Sequence, residues 1–162
     1  MDIDQQLRLL IDNAPDGAIA AVIQRGVAPV LRLLAGRMQH LEYFVLLGSS
    51  GAWVTTVLNN RDRPAVEKTV IYAFSTVEDA ETSQRFSDMT VVVEPIPITH
   101  ILFQLFALDR VDSIIFLETP GNLLTGQEIQ RTELQKLINK QLEGIRQTLP
   151  KNPSQKIPPN LA

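Results

Sequence analysis

The sequence predicts an α/β fold, with α+β as the alternative. Amino-terminal helices and a β-hairpin precede a βαβαβ unit in a mixed sheet, and a long amphipathic helix closes the chain. Three short runs, Val70-Ile-Tyr-Ala-Phe74, Met89-Thr-Val-Val-Val93 and Val111-Asp-Ser-Ile-Ile-Phe-Leu117, stay apolar without alternating. That is the habit of strands covered on both faces in parallel sheets. The two segments between these runs are each long enough for one crossover helix. With 162 residues, 44% hydrophobic and 20% charged, the chain has the size and composition of one domain with a full core. We read that domain as 1–149 and the proline-rich 150–162 as a flexible tail.

The elements follow in order. Asp2 with Gln5 offers a capping box, and Ile3, Leu7, Leu10 and Ile11 recur at helical spacing, which predicts a helix over about 3–12. Asn13-Ala-Pro-Asp-Gly17 breaks it. A second helical pattern (Ile19, Val22, Ile23) runs to Gly26, and a third starts at Pro29 and ends at Gly36. The longest apolar candidate, 18–35, is interrupted by Arg25, Gly26, Pro29 and Arg32, which argues against a bilayer span. Leu41–Leu47 and Ala52–Leu58 are β-rich runs joined by Gly48-Ser-Ser-Gly51, hence a hairpin. Ser75 with Glu78 predicts a capped helix over about 76–86, and Thr99 opens a mostly buried helix carrying Ile101, Leu102, Leu105 and Phe106. Thr125 with Glu128 predicts the cap of the final helix, whose stripe is Ile129, Leu134, Leu137, Ile138, Leu142 and Ile145, with Pro150 as its stop.

Composition removes several chemistries. The chain holds no cysteine, which excludes disulfides, thiolate nucleophiles, thiolate zinc sites and iron–sulfur clusters. That fits a cytoplasmic protein, as does an acidic amino end where a secretory signal would be basic. Charge is uneven: residues 70–120 hold eight acids and two bases, whereas 121–162 hold six bases and three acids. The basic side is too sparse and too poor in aromatics to predict nucleic-acid binding. Gly48-Ser-Ser-Gly51 lacks the final glycine and the following helix of a nucleophile elbow, and no Gly-Lys-Ser/Thr marks a phosphate loop. His40 and His100 have no carboxylate one helical turn away and read as structural. No cofactor and no metal are expected.

Two places remain as candidate sites. In Asn59-Asn-Arg-Asp-Arg63, Arg61 and Arg63 could present guanidiniums to a partner's carboxylates. If the three apolar strands run parallel, their carboxyl ends deliver Ser75 and Thr76, then Glu94 to Pro97, then Glu118, Thr119 and Asn122 to one edge, where open α/β sheets bind ligands. Helix starts at that edge favour anions and the two glutamates oppose them, a mixture that suits a peptide or protein surface better than a nucleotide.

Val70-Ile-Tyr-Ala-Phe-Ser-Thr-Val-Glu-Asp-Ala80, Val111-Asp-Ser-Ile-Ile-Phe-Leu-Glu-Thr-Pro-Gly121 and Leu124-Thr-Gly-Gln-Glu-Ile129 resemble the amino-terminal domain of the enhanced serine sensitivity family, SseB. The resemblance covers roughly residues 41–140. Phe74-Ser75-Thr76 stands where that family has a Phe-Thr-Ser type turn, and Glu118-Thr-Pro120 where it has Asn-Pro. It implies a small α/β regulatory or interaction module and transfers no catalytic residue. The resulting expectation is a non-catalytic interaction or adaptor domain with a protein partner or self-association. The alternative is a small-molecule-binding or hydrolytic domain using the strand-end crevice.

Overall fold

The computed structural model describes residues 1–59, 67–84 and 90–148, with side chains as far as residue 145. Arg61, Arg63, Met89 and the 150–162 tail lie outside the described residues. The first helix, α1 (Ile3–Asp12), forms where its capping box predicts: the Asp2 carboxylate accepts from Gln5 N at 2.8 Å, and the Gln5 side chain accepts from Asp2 N at 2.9 Å. Next, α2 (Gly17–Val22) passes through a π-helical turn (Ile23–Val27) into α3 (Ala28–Ala35) without a break. The expected interruption at Gly26 and Pro29 is therefore corrected. Pro29 has no N–H to give the carbonyl one turn back, and that carbonyl, of Arg25, accepts from Gln141 Nε2 at 3.4 Å instead.

By length and composition the joined helix Gly17–Ala35, of mean hydropathy 1.5, could cross a membrane, but 44% of that apolar stretch is buried inside the fold. Ile23, Val27, Val30, Leu31 and Leu34 all point into the core.

Six strands make one mixed sheet: β1 (Glu42–Gly48), β2 (Thr56–Asn59), β3 (Glu67–Phe74), β4 (Val91–Pro97), β5 (Ser113–Leu117) and β6 (Gln127–Gln130). The order is β4-β1-β3-β5-β6, with β2 on the amino-terminal half of β3. β3 and β5 pair in parallel, Ile71 opposite Ile114, while β1 is antiparallel to both β3 and β4. The three apolar strands thus share a direction, as expected, but β1 lies between β3 and β4. That insertion places β4 at the edge of the sheet, and β4 is not covered on both faces, Val92 being 55% exposed.

The hairpin also differs from expectation. Its turn closes with Gly48 N donating to Ala52 O at 2.8 Å and Val54 N to Leu46 O at 2.8 Å. Beyond Val54 the strand leaves β1 and pairs with β3, Val57 opposite Thr69.

Strand alternation divides the core. Tyr43, Val45, Ile71, Ala73, Ile114 and Phe116 share one cluster with residues of α1, α3, α5 (Ile98–Ala107) and α6 (Arg131–Thr148). On the outer face Phe44, Leu46, Tyr72, Phe74, Ile115 and Leu117 pack with Ala80 of the short α4 (Val77–Ser83).

Three cap readings shift. Thr76, not Ser75, caps α4, accepting from Asp79 N at 3.1 Å. Thr99 does not cap α5, which follows Pro97; its hydroxyl is buried and donates to Gln6 Oε1 at 2.9 Å. Thr125 caps nothing: Gln127–Gln130 is β6, bringing Ile129 opposite Ile114, and α6 starts only at Arg131. The open edge of β5 needs a partner strand, and that tertiary demand overrides the local capping signal.

Candidate functional site

The carboxyl ends of β3, β4 and β5 meet one edge of the sheet. Because β1 is antiparallel to them, its start, with Gln39 and His40 just before it, arrives at the same edge. Those residues fill the crevice. Glu118, the first residue after β5, accepts from Gln39 N at 2.7 Å through Oε2 and from the Tyr43 hydroxyl through Oε1. Its carbonyl oxygen meets His40 Nε2 at 2.9 Å. Tyr43 is wholly buried and stands edge-on to Phe116, ring centroids 4.9 Å apart, and to His40 at 5.5 Å. Burial first, and then the Glu118 hydrogen bond, push the phenol far above its ordinary pKa, so it remains a protonated donor.

The other residues named from the sequence are engaged or dispersed. Thr76 caps α4. Asn122 Oδ1 accepts from Leu124 N at 3.0 Å and Thr125 N at 3.3 Å, and its Nδ2 donates to Thr125 Oγ1 at 2.9 Å, an Asx turn that fixes the loop after β5. Thr119 is exposed and gives its carbonyl to Asn122 N at 3.0 Å. Glu94 stands opposite Val45 within β4 rather than at its end at Pro97, and β1 separates it from Ser75 and Thr76. It is therefore not gathered with the rest. Ser75 keeps a buried hydroxyl with no partner among the described residues.

Two polar groupings were not found by sequence reasoning. Asp79, 8% exposed, receives Gly121 N on both carboxylate oxygens, at 3.0 and 3.2 Å, tying α4 to the loop after β5. Gly121 at φ +83° gives that loop its left-handed turn, and an acid in the first turn of α4 facing a Pro-Gly turn is the signal that could have suggested it. At the opposite edge, Glu128 pairs with Lys68 and accepts from Ser113 Oγ at 2.6 Å. Burial raises its pKa, but the hydrogen bonds from Lys68 and Ser113 and the lysine charge together hold it below the ordinary value. Its strand position on β6 was masked by the capping-box reading.

Chemically, this edge offers bound carboxylates and a buried phenol, each held by the chain's own groups. Among the described residues no group of three His, Asp or Glu side chains could hold a metal ion. An apolar surface lies open elsewhere. Beside α4 on the outer face lies a groove of about 610 Å³ between Val77 and the exposed flank of Phe44, Val91, Val93 and Pro95, with Glu81 and Gln84 along it. Among the described residues, the seven of α4 leave that face partly uncovered. No family model matches the chain, and no curated protein matches it.

Proposed function

We propose that the protein is a non-catalytic interaction module whose docking surface is the apolar groove of the outer face beside α4. The observation that carries this reading is the contrast between the two candidate places. At the strand-end edge Glu118, Asp79 and Asn122 are engaged by the chain itself, whereas Phe44, Val77, Val91 and Val93 retain open apolar surface. The SseB-like stretches support the same reading, since that resemblance implies a regulatory or interaction module.

A photo-crosslinking residue at position 93, compared with one at Asp12 on the far side of α1, tests it in the native cell. The expected result is a discrete crosslinked protein, a second copy of the chain included, from position 93 alone. Equal products from both positions, or none from 93, would count against the groove.

One observation favours a second reading, a small polar ligand at the strand ends: the buried, unpartnered hydroxyl of Ser75. Thermal-shift screening with metabolites separates the two, because a ligand at a hundredfold over its Kd stabilises by about 2.7 kcal/mol.

A further inference from the structure

On the helical side of the molecule α2 is an apolar element without cover. Its sequence, Gly-Ala-Ile-Ala-Ala-Val, has no polar side chain, and among the described residues nothing buries any position of it. Ile19 is 42% exposed and Val22 49%, with Ala18 and Ala21 exposed beside them. The continuation of the same helix behaves differently, since Ile23, Val27, Val30, Leu31 and Leu34 all enter the core. The flank of α2 is acidic: Asp12 and Asp16 are exposed, and no lysine or arginine lies between Leu9 and Gln24.

Three contacts fix where α6 ends relative to this surface. Arg37 pairs with Glu133 at 3.9 Å, Gln141 Nε2 donates to Arg25 O at 3.4 Å, and Leu142 fills the space over Gly26 that a Cβ would need. α6 therefore runs antiparallel along the joined helix Gly17–Ala35, and the same register carried on to Thr148 brings its end level with α2. Residues 149–162 follow from that point. An extended chain advances about 3.3 Å per residue, and α2 is only about 9 Å long, so this segment reaches all of it. Its composition complements the surface: Leu149, Ile157 and Leu161 are apolar, and Lys151 and Lys156, its only charged side chains, oppose the sign of Asp12 and Asp16. Four prolines reduce the entropy lost on ordering it. We propose that residues 149–162 fold back as a strap over α2, with Leu149, Ile157 and Leu161 against Ile19 and Val22 and the two lysines facing Asp12 and Asp16. Tethering makes this docking an intramolecular step, which favours it over a free partner. The strap is separate from the groove beside α4, which lies on the other face of the sheet.

The test compares the full chain with its Ile157→Ser/Leu161→Ser variant, which removes apolar contacts of the strap and leaves the described fold untouched. Hydrogen exchange is followed residue by residue. The amides of Ala20, Ala21 and Val22 are expected to exchange about fivefold faster or more in the variant, with those of α3 unchanged. Equal exchange at α2 in the two chains overturns the proposal, because 149–162 is then a loose tail. A second measurement asks whether the strap belongs to the same molecule. The chain holds no cysteine, so Ala21→Cys with Ser154→Cys reports this approach alone. Its disulfide should form within one molecule, at a rate independent of protein concentration. A disulfide that joins two molecules and slows on dilution assigns the face to a second copy and overturns the strap.

Discussion

The two faces of the sheet received similar side chains and very different cover. On one, Leu7, Leu31, Leu34, Leu102, Leu105 and Leu134 from four helices close over Tyr43, Ile71, Ile114 and Phe116, and all of these are essentially inaccessible. On the other, α4 contributes little beyond Ala80, and Phe44, Tyr72, Val91, Val93 and Ile115 stay partly accessible. Apolar residues on a sheet therefore do not by themselves mean a core. What decides is how much helix is laid over them. Here α1, α3, α5 and α6 share one face, whereas among the described residues the other has the seven residues of α4, which leave the surface that we assign to a partner.

The sharpest way to break this comparison is a matched pair of truncations. Leu102→Ala on the covered side should cost about 2–5 kcal/mol in a chemical denaturation experiment, because it leaves a cavity in a closed core. Val93→Ala in the groove should cost less than about 1 kcal/mol while weakening partner capture. Equal costs would mean that the outer face is as well packed as the inner one.

A smaller loss is expected at the polar latch of the covered side. Gln6, 1% exposed, donates from Nε2 to Leu41 O at 2.9 Å and Met1 O at 3.1 Å, and its Oε1 accepts from Thr99 N and Oγ1. Gln6→Ala leaves those buried groups unpaired and should destabilise by about 1–3 kcal/mol.

The smallest effects are in pH dependence, and their signs differ. The Tyr43 pKa is raised in the folded state, so its contribution is complete below the ordinary tyrosine value of 10.0 and is lost as pH climbs above it. Tyr43→Phe should flatten that alkaline decline. The Glu128 pKa is lowered, so its contribution is present above 4.5 and is lost as pH falls below that value. Glu128→Gln should flatten the acid limb, which urea midpoints measured across pH would show.

Much of this architecture was legible because its causes are local. The box formed by Asp2 and Gln5 starts α1 where it must, and the unalternating runs at Val70 and Ser113 became the two parallel, buried strands. What escaped depends on distant partners. Thr125 and Glu128 carry a helix-start pattern, yet the unpaired edge of β5 draws Gln127–Gln130 into the sheet. Ser75 and Thr76 are equivalent on paper, and only the course of β3 decides which one faces the helix end. Glu118 was placed at the correct edge, but its engagement by Gln39 and Tyr43, more than seventy positions away, is invisible to any local pattern. Ser75, Thr76, Glu118, Thr119 and Asn122 were thus located by topology and Glu94 was not, because sequence spacing shows where a strand end goes and not what arrives beside it.

The border position of β4 has one further effect. An unpaired strand invites the same strand of another molecule to zip alongside, the first step toward fibrils. Pro95 and Pro97, both within β4, lack the amide hydrogens such zipping needs, and proline is tolerated in a sheet where its nitrogen faces outward. Backbone pairing with another copy is thereby interrupted along the carboxyl-terminal half of β4, where an incoming strand finds no amide hydrogen at either proline.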